Sequence, residues 1–304
     1  MGQHPSATIT DMQLAVLVLV FVSYVQCYGE KPQEDIELSR VVSDAWINDP
    51  NRLKVGQDLL LNWQGQISDR SDSKDISSAP LCTIKSTKLN QDPVYKAFIA
   101  LLNNYEHRVG FSESETAKEK EEIDQFLDAV IKTKTMENFH NYLIKQKLAS
   151  APSATFKKEL YDLWFKTYRR VRQSDSSPFE HVFVGETKQN NVLGMHNWIT
   201  FCINEKNGVF NYYGHSKPHY LNPDYKASLQ FSMHRNFVKP FGTILFGSSV
   251  EFDFGLYTAV FLRSQQLFKD QQRWPALVVH LDKTRILVQC HQFAGNRIGS
   301  CYVK

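Results

Sequence analysis

Apolar residues recur at helical spacing through the first 170 positions and fall into alternation over much of the remaining chain. Leu38, Val41, Val42, Ala45 and Trp46 lie three and four apart, which predicts a helix within residues 36–63. Pro93 opens a second, with Tyr95, Phe98, Ile99, Leu101 and Leu102. In the third, Thr116 with Glu119 three residues later forms a capping box ahead of the buried-face pattern Ile123, Phe126, Leu127, Val130, Ile131. Helices are also expected over 135–147 and 155–172, the latter turning Phe156, Leu160, Trp164 and Tyr168 inward. The polar, aperiodic tract 64–80 reads as a loop.

After Pro178 strands are expected at 180–186, 193–203, 226–233, 241–247, 252–261, 277–281, 285–291 and 298–303. Asn207-Gly208, between WITFCINEK and VFNYYGH, reads as a hairpin turn. The fold class is therefore α+β, a helical N-terminal half followed by a C-terminal half of antiparallel β-sheets. Within the first strand pair, His181 and His196 are equidistant from the polar tract around Lys188 and Gln189. A simple hairpin sets such residues opposite each other on one side of the sheet. Two adjacent imidazoles suit acid–base chemistry, although a histidine among apolar neighbours is more often a hydrogen-bonded core residue. Alternation puts Glu180 and Glu186 on one face and His181 on the other, unless Gly185 introduces a bulge. Nothing in spacing alone singles out Lys239.

The 304 residues give ample chain for a core, and 42% apolar with 22% charged residues excludes disorder. Net charge of +3 is too mild to mark a general nucleic-acid binder. The helix at 155–172 carries Lys157, Lys158, Lys166, Arg169, Arg170 and Arg172 against Glu159 and Asp162. On charge grounds that face is either solvated or turned to RNA. Walker, GxGxxG and GxSxG motifs are missing, which argues against nucleotide-dependent enzymes and serine hydrolases.

Leu14 to Val25, LAVLVLVFVSYV, is short for a membrane span and fits a signal-peptide core cut near Tyr28. Residues 1–13 disagree, with Asp11 and no Lys or Arg, so an uncleaved N-terminal membrane anchor is the alternative to secretion. Residues 1–27 are thus read as a leader and 28–304 as a single domain, 28–177 mainly helical and 178–304 mainly β. Cys27 leaves with the leader; Cys82, Cys202, Cys290 and Cys301 permit two disulfides in three connectivities.

FIALLNNYEHRVG (98–110), FKKELYDLWFKTYRR (156–170), FEHVFVGE (179–186), GMHNWITF (194–201), KPFGTILFGSSVEFDFGLYT (239–258) and GSCYV (299–303) occur in order. Over about residues 33–304 the chain resembles the eukaryotic poly(U)-specific endoribonuclease family, the EndoU or XendoU-like proteins. The resemblance implies cleavage of single-stranded RNA at uridines, leaving a 2′,3′-cyclic phosphate and a 5′-hydroxyl. It implies His181, His196 and Lys239 as catalytic residues, with His196 as base and His181 as acid. It also implies a divalent ion, manganese or calcium, for which Glu180 and Glu186 are the candidate ligands. Thr243 falls where relatives carry a small hydroxyl that reads uracil, and Tyr302 is placed to stack on base or ribose. The chain has Ser300-Cys301-Tyr302 where relatives commonly have Thr-x-Tyr; Ser300 keeps the hydroxyl and loses the methyl. DNA, lacking the 2′-hydroxyl, is not a substrate by this route. A secreted monomer with no stable membrane partner is expected. The alternative is a secreted single-stranded RNA-binding protein on the same fold without turnover.

Overall fold

The computed structural model describes residues 31–68, 74–112, 115–172, 174–216, 226–293 and 295–304. The leader-like run at 14–25 lies outside them, and no helix among the described residues is long and apolar enough to cross a membrane.

Short polar side chains fix the helix starts. Asp35 accepts from Leu38 N at 2.8 Å and opens α1 (Ile36–Ile47). After the short α2 (Lys88–Gln91), Asp92 caps α3 (Pro93–Leu101) with proline at its first position. The Thr116–Glu119 capping box opens α4 (Ala117–Ile131), and Thr133 opens α5 (Lys134–Lys145). The last helix of this half, α6, spans Ser153–Trp164. Two expected helices are shorter than their apolar spacing suggested. The first stops at Ile47, before Pro50, and the chain goes on to β2 (Leu59–Leu61), paired with β3 (Cys82–Ile84). The other stops at Trp164 because Asp175 folds the following segment inward, accepting from the backbone N–H groups of Arg170, Val171 and Arg172.

The C-terminal half holds two sheets. One has the order β4-β5-β8-β7-β6, from Glu186–Lys188, Asn191–Leu193, Phe237–Leu245, Lys226–Met233 and Phe210–His215. The other has the order β1-β9-β10-β11, from Gln33–Glu34, Leu277–Leu281, Thr284–Phe293 and Arg297–Val303. Pairing is antiparallel except for β1 on β9 and β5 on β8. Disulfides join Cys82 to Cys202 and Cys290 to Cys301. The buried apolar residues form one cluster from Leu38 to Val303.

Two expected strands are helices, and each has a stated cause. Asn197 accepts from Ile199 N and Thr200 N and starts α7 (Trp198–Lys206). Asn207-Gly208 ends that helix: Gly208, at φ +73°, and Val209 donate back to the carbonyls of Glu205 and Asn204. Ser249 caps α8 (Val250–Leu267), which packs between the helices of the first half and strands β10 and β11. Buried nearly all round along its first twelve residues, α8 has no polar face to give a period of 3.6.

An aromatic cluster fastens the two halves together. Phe179 stacks on Phe165 at 4.7 Å and on Phe183 at 5.0 Å, and meets Phe98 and Phe126 at 5.9 and 5.7 Å. Phe183 also packs on Trp164, whose indole N–H donates to Thr258 on α8. Phe183→Ala is expected to lower the unfolding free energy by about 3–5 kcal/mol, since its ring is fully buried. Urea denaturation of purified protein checks this.

Candidate active site

Residues 180–184 are not a strand but one wide turn of π-helix, Glu180–Val184, set on the aromatic cluster by Phe179 and Phe183. Ser177 and Glu180 open it reciprocally: Glu180 N donates to Ser177 Oγ at 3.1 Å and Ser177 N to Glu180 Oε2 at 3.2 Å. It closes on the five-residue bond from Gly185 N to Glu180 O. The hairpin after it is shorter than expected, with only Glu186–Lys188 on Asn191–Leu193, and pairs Lys188 with Asn191, so its centre lies one residue beyond the predicted one. Both histidines lie outside it.

They are nevertheless brought together by backbone. The chain returning from β5 runs along the π turn, with Met195 N donating to His181 O at 2.9 Å and His196 N to Val182 O at 2.8 Å. This approach depends on glycine. A Cβ on Gly194 would stand 1.7 Å from His181 O, and one on Gly185 would stand 2.9 Å from Met195 Cβ.

The imidazoles sit in different company. His181 Nδ1 meets Glu186 Oε2 at 2.6 Å, and the same oxygen is 3.2 Å from Arg170 Nε. A carboxylate only accepts, so Nδ1 carries a proton. His196 Nδ1 meets the carbonyl oxygen of Thr243 at 3.2 Å; a carbonyl also only accepts, which leaves His196 Nε2 with its lone pair. Burial lowers both pKa values. For His181 the Glu186 carboxylate opposes that; for His196 the charges of Lys239 and His181 add to it, holding it well below the usual imidazole range. Burial also brings the Lys239 ammonium down to about 8.

The remaining predicted residues border this group. Tyr302 stacks on the His196 ring with centroids 5.0 Å apart and planes 23° from parallel. Thr243 shares its hydroxyl with Ser228 Oγ at 2.8 Å, so its side chain is braced while its carbonyl holds His196. Ser300 lies on β11, half-buried, paired across the hairpin with His291. The site is a seam: β11 belongs to one sheet, β8 to the other, and the π turn packs against β11.

The family model "Endoribonuclease XendoU" matches residues 37–303. The chain belongs to this family. It is 38% identical over 278 residues to uridylate-specific endoribonuclease B of Danio rerio, covering 88% of this chain and 95% of that one. It is 36% identical over 286 residues to poly(U)-specific endoribonuclease-B of Xenopus laevis, covering 90% and 95%. The solved structure of XendoU, described as a splicing independent snoRNA processing endoribonuclease, superposes with a TM-score of 0.75 at 34% identity, over 89% of this chain and 97% of that one.

A XendoU endoribonuclease brings with it the question of a divalent ion, and Glu180 and Glu186 do not fit one as they stand. Glu186 Oε2 is shared by His181 and by Arg170, a cation where a metal would have to sit. Glu180 Oε2 belongs to the π turn's opening bond. Among the described residues no three His, Cys, Asp or Glu are gathered to hold an ion directly. Glu186 Oε1 is itself buried without a hydrogen-bond partner, and so are Asp49 Oδ2, Glu251 Oε2 and Asp253 Oδ1. Burial, with repulsion among the last three, pushes Glu251 up to about 7 and Asp253 up to about 8. Their other oxygens take Asn51 Nδ2 at 2.8 Å and Asn197 Nδ2 at 3.1 Å.

Sequence reasoning missed these acids because it read 252–261 as a strand. Ser249 followed by Glu251 and Asp253 was the available helix-start signal. It also left Arg170 on a solvated helix face. Beyond the helix end, Arg170 turns inward and donates to Ser176 Oγ, Tyr168 Oη and Gly299 O as well as pairing with Glu186. Lys157, from the same basic run, is pinned between Asp124 and Asp128 on α4.

Gly194→Ala is expected to destabilise the protein by more than about 3 kcal/mol, combining left-handed strain with the clash on His181 O. Gly208→Ala carries the strain alone, with nothing near its Cβ, and should cost about 1–2 kcal/mol. Parallel urea melts of the two variants check the difference.

Proposed function

We propose that this XendoU endoribonuclease cleaves single-stranded RNA on the 3′ side of uridines by transesterification, with His196 as general base and His181 as general acid. The observation that carries the assignment is the difference in Nδ1 partners, a neutral carbonyl for His196 and the Glu186 carboxylate for His181. His196 Nε2 takes the proton of the ribose 2′-hydroxyl, and O2′ attacks the adjacent phosphorus. The phosphorus–O5′ bond breaks, and His181 Nε2–H gives its proton to O5′. The products are a 2′,3′-cyclic phosphate and a 5′-hydroxyl, with one proton moved from O2′ to O5′ overall. The Lys239 ammonium, half-buried, stabilises the extra negative charge on the non-bridging oxygens. Tyr302 offers an aromatic face to the base, with Thr243 and Ser300 supplying hydroxyls around it. Uridine preference is supported by the names of the Danio rerio and Xenopus laevis relatives. Export through the 1–27 leader belongs to the same reading; two disulfides among the four remaining cysteines suit an oxidising compartment.

The direct test is an oligonucleotide with one uridine among adenosines, its products mapped for cyclic-phosphate and 5′-hydroxyl ends. His196→Ala, His181→Ala and Lys239→Ala should each lower kcat by at least about a hundredfold. An intact substrate with the parent protein, in manganese or calcium, would remove the reading. Glu186→Gln removes the one influence that holds a proton on His181. Its alkaline limb in the kcat/KM profile should therefore move to lower pH, while the acid limb, set by His196, stays in place.

A divalent ion, manganese or calcium, is also part of the reading. Asp49, Glu251 and Asp253 instead set a pH limit on the fold beside Asn197, the residue after His196. The sign of the pH effect comes from raised folded-state values. Below about 4 these acids are protonated folded or unfolded; above that, the cost of ionising them in the fold grows with pH through about 7 for Glu251 and about 8 for Asp253. The melting temperature should thus fall between pH 6 and pH 8.5. Asp253→Asn should blunt the fall and Glu186→Gln should keep it.

A further inference from the structure

The hairpin of β10 and β11 has a fixed register, and the register sorts its side chains. Cys290 opposes Cys301, and their disulfide lies on the buried face, against the Tyr257 carbonyl. Gln289 opposes Tyr302 and His291 opposes Ser300, so these four share the other face, the one turned to His196. Gln289 is buried and committed to the carbonyl of Trp274. His291 is exposed, and its ring lies 5.9 Å from that of Tyr302, tilted by 31°. Its Nε2 is 3.3 Å from Tyr302 Oη. Beyond His291 the pairing slips by one residue, a bulge that ends the regular ladder and re-aims the side chains beside it.

Tyr302 is thus held at two places. One face of its ring lies on His196, and its hydroxyl is tied to His291. A strand tyrosine without the second tie keeps freedom about its side-chain torsions, and a base stacking on it must first order the ring. Burial and the Lys304 charge lower the His291 pKa, so near neutral pH its ring is a hydrogen-bond partner and not a cation.

We propose that His291 is a substrate-positioning residue: it pins the Tyr302 hydroxyl so that the phenol ring stays parallel to His196 and meets the base already oriented, with Ser300 directly across the ladder as the pocket's neighbouring hydroxyl. This rests on the reading that Tyr302 packs against the base. It makes base choice a property of a row of three rings, His196, Tyr302 and His291, across the seam between the sheets. His291 acts through Tyr302 and takes no proton in the reaction.

The test uses the full chain, with substrates carrying a single uridine or a single cytidine among adenosines. His291→Phe keeps a ring and loses the hydrogen bond; His291→Gln keeps a polar group able to reach the hydroxyl. The phenylalanine variant should raise KM for the uridine substrate roughly three- to tenfold, the value of one hydrogen bond. Its kcat should stay within about twofold, and its uridine-over-cytidine ratio should fall. The glutamine variant should recover most of both. Unchanged KM and base ratio in His291→Phe, or equal losses in the two variants, would overturn the inference. Tyr302→Ala separates the layers. If it raises KM while His291→Phe does not, the stacking reading stands and the role of His291 falls; if neither raises KM, both fall.

Discussion

One short stretch of backbone contact governs the site. The two bonds from Met195 and His196 to the carbonyls of His181 and Val182 lay the returning chain against the π turn, and Gly194 leaves the room for it. Any side chain at 194 would occupy the space of the His181 carbonyl. The wide π turn matters for the same reason. Its extra residue per turn lets the chain carry Glu180 into the turn's own opening bond while Glu186, just past its end, reaches back to His181. An α-helical turn or a strand through the same residues would give a different set of partners to each.

Around that contact the electrostatics are asymmetric by construction. Lys239 lies close enough to depress both histidines, His181 adds to the depression of His196, and Arg170 to that of His181. Burial makes each charge costly, so the cleft can hold few of them at once. Glu186 answers His181 and Arg170 together, and Arg170 in turn grips Gly299 at the start of the strand that carries Tyr302. A single carboxylate thereby links His181 to the second sheet. The His181–Glu186 pair and Tyr302 are joined by one network across the seam, although they belong to different parts of the β region.

The sequence disclosed this unevenly, for physical reasons. Helices with a solvent face, such as α4 with its Thr116–Glu119 box, were legible because amphipathic spacing and capping agree there. The α8 helix was not, because a helix buried on every side keeps no polar period, and VEFDF happens to alternate. The π turn was unreadable for a related reason: FEHVFVGE alternates like a strand, and nothing local announces a five-residue bond. The juxtaposition of His181 and His196 was foreseen, but the cause differed. A hairpin was expected to oppose them; a hairpin of three residues per strand only returns the chain, and backbone contact outside it does the rest. Arg170 was lost because its neighbours' charge pattern described a helix that Asp175 ends early.

The division of labour between the histidines then comes from their partners and not from the residues themselves. Both rings are buried, and both use Nδ1 as donor. A carbonyl offers His196 orientation with almost no charge to stabilise an imidazolium, so this ring stays neutral. A carboxylate offers His181 orientation and charge that opposes the lowering by burial. The buried acids of α8 enter the same scheme from behind: Asp253 holds the side chain of Asn197, and Asn197 both caps α7 and follows His196 in the chain. The His196 ring is thus held by the Thr243 carbonyl, and the residue after it by a carboxylate with one oxygen still unmatched.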